Sequence, residues 1–414
     1  MERAIGLVGL AALVGVAWLA SVRRDAIPWR TVAVALLLQL GIALLVLRTP
    51  FGRAFFVVVN DVAVAFISSA DAGIEFMFGS WPEALLGPDG GPVRLPYVFA
   101  VRVLPVIIFM SSVFQILYHL GVLQRLVEVL ARALRRIMPI SGAESLAAIA
   151  NVFLGMTEAP LMVRPYIQSM TRSELFCVMS SGMATVAGSV LVAYMGMVGP
   201  EYAGHLIAAS FMSAPAAIGF AKMLVPEDGT PATMSGVHVE VKRDTVNVID
   251  AAARGASDGL ALALNVGALL IAFVALIYLL DSTLGLAGGL VGFPELTFGK
   301  LLGWALAPLA FLLGVPWADA PAVGEMLGVK TVLNEFIAYQ LLADARDGLS
   351  PRAVVIASYA ICGFANFGSL AILLGGLGGI APGRRSDIAR DGLRAVLAGS
   401  LATFSTGAIA GLVF

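Results

Sequence analysis

Charged residues, cysteine and histidine are all scarce in this chain of 414 residues. Only 13% of the residues are charged and the net charge is −1, so the chain lacks the basic surface that nucleic-acid binding needs. The two cysteines, Cys177 and Cys362, lie in apolar segments and suggest neither a disulfide framework nor a zinc site. The longest polar stretch, residues 226–258, is too short to form a separate soluble domain. These shortages argue against a nucleic-acid partner and against a soluble enzyme.

Hydrophobic residues make up 59% of the chain, which predicts an all-α polytopic membrane protein. A membrane-crossing helix needs ~20 apolar residues. We predict eight transmembrane helices, near residues 4–21, 31–48, 96–120, 173–199, 201–225, 259–281, 352–380 and 391–413. The first is interpreted as a membrane helix and not as a signal peptide, because Arg23 and Arg24 follow it without a clear cleavage pattern.

Other apolar segments carry too many polar residues to cross the membrane cleanly. Residues 51–78 and 124–138 combine an apolar side with a polar side, which predicts interfacial helices lying in the membrane plane. Residues 81–96 are rich in proline and glycine and are predicted to form a loop.

Two further segments are apolar but interrupted near their middle. Residues 141–167 contain a break at 155–160, and residues 296–342 contain one at 314–321. Non-helical backbone at membrane depth persists only where protein or water satisfies it. We therefore predict two re-entrant helical hairpins. The distribution of Arg and Lys predicts that they enter the membrane from opposite sides.

The two hairpins form the halves of a predicted inverted repeat. Glu158 and Ser189 are 31 residues apart, and so are Glu335 and Asn366. Such repeats place their binding groups near the middle of the bilayer, where the halves meet. We expect three parts: residues 1–95 with the N-terminal helices, residues 96–200 with the third helix, first hairpin and broken helix, and residues 201–414 with the C-terminal transport half.

Glu158 and Glu335 are the strongest candidates for a binding site. A charged side chain at the middle of a membrane costs about 2.5–3.5 kcal/mol on insertion scales and is usually functional. The alternative is a structural ion pair with Arg164 or Lys330, and Lys330 is interpreted as a counter-ion more readily than as a substrate contact. On a continuous helix Lys330 and Asn334 would share one face.

The residues that carry a family resemblance lie in these broken segments. In residues 328–339, Lys330 is followed, after three intervening residues, by the sequence Asn334-Glu335-Phe336. Residues 151–160 and 362–369 contain shorter motifs. In these stretches, and in the order of its hairpins, the chain resembles the concentrative nucleoside transporter family.

The resemblance implies a homotrimer in which each subunit moves its own transport domain through the lipid bilayer. The short loops of the chain favour the cytoplasmic (inner) membrane as its location. The resemblance further implies that the first half contacts the nucleobase through Thr157, Glu158 and Val190, and that the second half holds the ribose hydroxyls through Glu335, Asn366 and Ser369. It also implies a sodium site formed by Asn151, Thr185 and the carbonyls of Val186 and Val190, since hard cations prefer oxygen ligands. No organic cofactor is implied.

Met156 departs from the family pattern, which usually has Gln at this place. Methionine is only a weak acceptor and no donor, so a direct amide contact to the base is lost. The sequence therefore leaves open which nucleoside binds. It also leaves open a proton-coupled symporter, an intramembrane enzyme using the two glutamates as acid and base, and a passive channel.

Overall fold

Over the residues that the structure describes, the fold is all-α apart from one short β-hairpin. The computed structural model describes residues 2–79, 84–86, 92–94, 98–234, 245–290 and 292–414. The first half of the chain contains α1 (Glu2–Ala20), α2 (Trp29–Arg48), α3 (Pro50–Phe78), β1 (Ala84–Leu86), β2 (Pro92–Arg94), α4 (Phe99–Arg102), α5 (Leu104–His119), α6 (Val122–Ile137), α7 (Gly142–Phe153), α8 (Arg172–Ala184), α9 (Gly188–Val198) and α10 (Ala203–Leu224). The second half contains α11 (Val248–Gly289), α12 (Phe298–Leu312), α13 (Ala320–Val332), α14 (Glu335–Ala345), α15 (Pro351–Ala360), α16 (Phe367–Ile380) and α17 (Arg385–Val413).

In the described ranges, seven helical stretches are long and apolar enough to cross a membrane. They include α3, which we had placed in the membrane plane, and they omit the shorter α1. The predicted span 352–380 is two short helices, α15 and α16, and the predicted span 259–281 belongs to the much longer α11. The count of eight crossings, the interfacial helices and the re-entrant insertion of the hairpins stay predictions.

The predicted loop at residues 81–96 is partly wrong. Ala84–Leu86 and Pro92–Arg94 pair as antiparallel strands, with Leu85 opposite Val93. The remaining residues of that loop lie outside the described part of the chain.

The first interrupted segment is broken where the sequence predicts. Helix α7 begins with a capping box, in which Ser141 accepts from the N–H of Glu144 and the Glu144 carboxylate accepts from the N–H of Ser141. The helix ends at Phe153, and a 3-10 helix, Ala159–Ser169, carries the chain back. Pro160 has no backbone N–H, so it is tolerated in the first turn of this second helix.

The second interrupted segment differs from the prediction. Residues 313–319 form a turn between α12 and α13, within which Gly314 adopts φ +97°. A second break, at Leu333 and Asn334, then separates α13 from α14. The side chain of Asn334 accepts from the N–H of Ile337 and begins the new helix, so Lys330 and Asn334 do not share a helix.

The breaks of α8–α9 and α15–α16 lie against each other. The N–H of Phe364 donates to the carbonyl oxygen of Thr185 over 3.3 Å, which satisfies backbone groups that the two interrupted helices leave free. Gly363 permits this approach, because a Cβ at that position would lie 2.8 Å from the Ala184 carbonyl oxygen. The two halves of the chain thus meet at their unwound segments.

Candidate functional site

A cavity lies where the two hairpin tips approach the two broken helices. It encloses about 820 Å³ of space, part of it open to solvent. Every side chain that the sequence assigns to the substrate lines it: Met156, Thr157, Glu158, Val190, Glu335, Asn366 and Ser369. The fold therefore brings residues more than 200 positions apart in the sequence to one cavity. A few polar groups project from a wall that is otherwise apolar.

Glu335 is held by residues of both halves. Its Oε2 accepts from Nδ2 of Asn366 over 2.8 Å, and its Oε1 accepts from the hydroxyl of Tyr194 over 2.9 Å. The carboxylate is buried, so these donors compensate for the water that it has lost. An ionised carboxylate has about four lone-pair sites, which leaves Glu335 able to accept further hydrogen bonds from a ligand.

Asn366 fixes the geometry on the other side of this pair. Its Oδ1 accepts from the N–H of Ser369 over 2.7 Å and so caps the N-terminus of α16, while its amide nitrogen donates to Glu335. Ser369 is consequently held one turn into the helix, at the cavity wall. The local sequence Asn-Phe-Gly-Ser thus sets the start of a helix and supplies part of the cavity wall.

Glu158 has a different environment from Glu335. Its Oε2 accepts only a long hydrogen bond, 3.4 Å, from the N–H of Gly155, and the side chain is exposed to the cavity. Among the described residues it makes no ion pair with Arg164. Thr157, next to it, packs on α16, since a Cβ on Gly376 would lie 2.6 Å from Cγ2 of Thr157.

The residues assigned to sodium lie around the end of α8. Asn151 is buried and its amide nitrogen donates to the carbonyl oxygen of Ala147, but its Oδ1 has no hydrogen-bond partner in the described structure. That oxygen faces α8, 3.6 Å from a Cβ placed on Gly182. Thr185, Val186 and Val190 are buried at the break that follows. A buried oxygen without a donor, beside unwound backbone, fits a hard cation.

Lys330 is not the direct counter-ion of Glu335. Within the described ranges no salt bridge joins the two side chains, because the Lys330 ammonium donates to Oγ1 of Thr403 over 3.1 Å and lies 5.5 Å from the ring centre of Phe404. The structural alternative, a direct Lys330–Glu335 ion pair, is therefore not formed. A helix break at Leu333 and Asn334 separates the two residues along the chain.

Two parts of the cavity wall and its hydrogen bonding were not predicted from the sequence. Tyr194 has no motif around it and reaches Glu335 only because α9 crosses α14. One wall of the cavity comes from α11, through Leu262, Val266, Leu269 and Phe273. Their helical spacing indicates one face of a helix, but such a face is as consistent with lipid contact as with a binding site.

Comparisons with known families identify the family to which the chain belongs. Three family profiles match in succession: "Na+ dependent nucleoside transporter N-terminus" over residues 8–81, "Nucleoside recognition" over residues 100–201, and "Na+ dependent nucleoside transporter C-terminus" over residues 205–411. The matching relatives are transporters, so the chain is not an enzyme.

Individual relatives match over almost the full length. An uncharacterized transporter, YutK of Bacillus subtilis, is 46% identical over 409 residues, covering 98% of each chain. The nucleoside permease NupC of Helicobacter pylori is 42% identical over 411 residues, 98% of this chain and 96% of the relative. The solved structure of CNTnw in an inward-facing substrate-bound state superimposes with a TM-score of 0.90 at 44% identity, covering 100% of this chain and 98% of the other.

The apolar helices and the bacterial permease relatives make this a multi-pass protein of the inner membrane. The motif order predicted from sequence, the cavity between the two halves and the matched profiles all lead to the same assignment. The chain belongs to the concentrative nucleoside transporter family.

Proposed function

We propose that this protein is a sodium-coupled nucleoside symporter. The observation that carries the proposal is the Glu335–Asn366 pair at the cavity, where a buried carboxylate and an amide are joined over 2.8 Å. An acceptor beside an amide suits the adjacent hydroxyls of a ribose, which can donate to the carboxylate and accept from neighbouring groups.

The opposite side of the cavity suits the nucleobase. Thr157 and Glu158 supply a hydroxyl and a carboxylate, while Val190 and Met156 supply apolar surface. A flat base needs a few directional polar contacts and apolar contact on its faces. Thr157, Glu158, Val190 and Met156 therefore form the proposed base site, and Glu335, Asn366 and Ser369 the proposed ribose site.

Sodium is the proposed coupling ion. Asn151, Thr185 and the carbonyls of Val186 and Val190 would hold it, and the unpartnered Oδ1 of Asn151 supports that set. Inward movement of one sodium with a neutral nucleoside would draw about 2.3 kcal/mol per 100 mV from the membrane potential.

Packing supports an elevator-type movement of a transport body against a frame. Helix α11 packs closely on α5, because Gly255 and Gly259 allow contact with the α5 backbone: a Cβ on Gly255 would lie 2.6 Å from the Ser111 carbonyl oxygen. In contrast, α1 and α2 pack on α10 and α17 of the two repeats. We propose that α3, α5 and α11 form the static frame. The boundaries between the moving and static parts then differ from the domain boundaries predicted at residues 95 and 200.

The frame is also the proposed contact between three subunits. Helix α11 exposes large apolar side chains along most of its length, among them Ile271, Tyr278 and Leu279. Such a surface requires cover by lipid or by another subunit. A homotrimer centred on α11 predicts that cysteines introduced on this face cross-link between subunits.

The proposed function is tested by nucleoside uptake into proteoliposomes. Sodium outside should drive accumulation that choline does not, at fixed pH on both sides. Equal accumulation in sodium and choline would exclude sodium coupling. The second candidate is a proton-coupled symporter, which the exposure of Glu158 to the cavity favours; it predicts uptake after a pH jump without sodium. A passive channel predicts no accumulation in either experiment.

A further inference from the structure

The two halves of the chain place different polar groups beside their helix breaks. In the first half, α7 directs the unpartnered oxygen of Asn151 toward α8, next to the break at Thr185. In the second half the corresponding helix, α13, carries the ammonium of Lys330. One half presents an acceptor without a donor, and the other presents a cation.

Lys330 lies beside the break of α15–α16. Its ammonium donates to Oγ1 of Thr403 over 3.1 Å, and Thr403 packs against that break, since a Cβ on Gly363 would lie 2.6 Å from Cγ2 of Thr403. The ring of Phe404 lies on the same cation, at 5.5 Å. These contacts hold a charged group where α15 has just ended.

A positive charge is favourable at both breaks for one physical reason. Helices α8 and α15 end at Ala184 and Ala360, and the C-terminal end of a helix carries partial negative charge from its free carbonyls. In many interrupted membrane helices a mobile cation compensates for this partial negative charge. A lysine can do so permanently if its side chain is long enough to reach the break.

We propose that Lys330 is a positioning residue whose ammonium is a built-in cation at the α15–α16 break, the place that corresponds to the proposed sodium site of the first half. This inference rests on the proposed function, because the comparison requires sodium at the first break. The ammonium stabilises the unwound segment 361–366, at whose end Asn366 begins α16 and holds Glu335. Lys330 therefore acts on nucleoside binding through Asn366 and Glu335 and does not touch the nucleoside.

The burial of Lys330 makes this role testable by chemical replacement. The side chain is fully buried, so Lys330→Ala leaves a space that a small primary ammonium ion can fill. We expect Lys330→Ala to bind nucleoside at least tenfold more weakly than the wild type in saturating sodium, measured by calorimetry on purified protein. Methylammonium should restore at least half of the lost affinity, whereas the larger tetramethylammonium should not.

Lys300→Ala is the matched control, because Lys300 lies on the surface and pairs with Glu295 over 3.1 Å. It should bind nucleoside as the wild type does and should not respond to methylammonium. Lys330→Arg keeps the charge and should retain affinity within about threefold, whereas Lys330→Met, of similar length but neutral, should weaken binding as Lys330→Ala does.

Three results would overturn the inference. In the first, folded Lys330→Ala binds nucleoside as tightly as the wild type. In the second, it binds weakly and does not respond to methylammonium. Alternatively, neither neutral variant folds even when purified in methylammonium, in which case the residue serves folding alone. Wild-type protein that binds no nucleoside would instead overturn the proposed function, so the two failures are distinct.

Discussion

The hydroxyl of Tyr194 donates to Oε1 of Glu335 over 2.9 Å and thereby joins the broken helix of one half to the hairpin tip of the other. Tyr194 also stacks on Tyr339, with ring centres 4.4 Å apart, and meets Phe336 edge to face at 4.9 Å. The orientation of the Glu335 carboxylate is therefore decided by an aromatic cluster as much as by its own helix. This cluster thus links α9 of the first half to the proposed ribose site.

Tyr194→Phe removes one hydrogen bond to a charged group and keeps the aromatic packing. Such bonds contribute about 1.5–3 kcal/mol, so we expect nucleoside affinity to fall roughly tenfold to a hundredfold while the protein stays folded. Calorimetric titration with nucleoside measures the effect. Tyr278→Phe, on the exposed face of α11, is the control and should bind normally. Unchanged affinity in Tyr194→Phe would show that Asn366 alone orients Glu335.

Glu335→Gln keeps the size of the side chain but removes its charge. Glutamine offers one acceptor oxygen, so the hydrogen bond from Asn366 becomes a neutral one and the Tyr194 hydroxyl no longer donates to a charged oxygen. We therefore expect uptake below saturation to fall about 100-fold. Initial rates of labelled nucleoside uptake in proteoliposomes provide the measurement. Glu295→Gln changes an exposed carboxylate and should leave the rate unchanged. A Glu335→Gln rate near that of the wild type would remove the carboxylate from the ribose site.

Asn151→Ala removes the unpartnered amide oxygen beside α8. If that oxygen binds sodium, the sodium concentration for half-maximal nucleoside binding should rise at least tenfold, while saturating sodium recovers most of the binding. Ser145→Ala, earlier on the same buried helix, alters a hydroxyl that donates to the Gly142 carbonyl and should not shift the sodium dependence. An identical sodium dependence in both variants would contradict the proposed sodium set.

Lys222 forms a buried ion pair that ties α10 to the start of the first hairpin. Its ammonium lies 2.5 Å from Glu144 Oε1, 3.1 Å from Glu227 Oε2 and 3.0 Å from the Ser173 hydroxyl. Removing one partner of such a pair costs about 3–5 kcal/mol, so Lys222→Met should unfold at a clearly lower temperature in detergent. The double variant with Glu144→Gln should recover part of the loss, because no unpaired charge then remains at Glu144. Equal melting of Lys222→Met and wild type would show that the pair contributes nothing.

Met156→Gln restores the amide that the family usually has at the base site. The side chain lines the cavity next to Thr157, and the variant adds a donor and an acceptor there. We expect the ratio of uridine to adenosine affinity to change at least fivefold, because the two bases present different hydrogen-bonding edges. Competition binding with the two nucleosides measures that ratio. An unchanged ratio would place Met156 away from the base.

The first half of the site was predictable because its signals are local. A carboxylate two residues before Pro160, and a run of Gly and small polar residues after α8, mark breaks through backbone chemistry that depends only on neighbouring residues. The start of α16 at Asn366 follows the same logic, since an asparagine side chain caps the helix that comes after it. The second hairpin was harder to predict because the chain breaks twice there. The prolines at 314–321 give a strong local signal, whereas the break at Asn334 has none.

Short stretches of sequence are enough to indicate a membrane protein with interrupted helices and costly buried carboxylates, since burial free energy and helix capping act locally along the chain. The partners of the buried charged groups emerge from the tertiary fold alone: Tyr194 for Glu335, and Thr403 in place of Glu335 for Lys330. The reason is geometric. Partners in a polytopic protein are set by where distant helices cross, and the same apolar face of a helix fits lipid, a neighbouring helix or a cavity until that crossing is known.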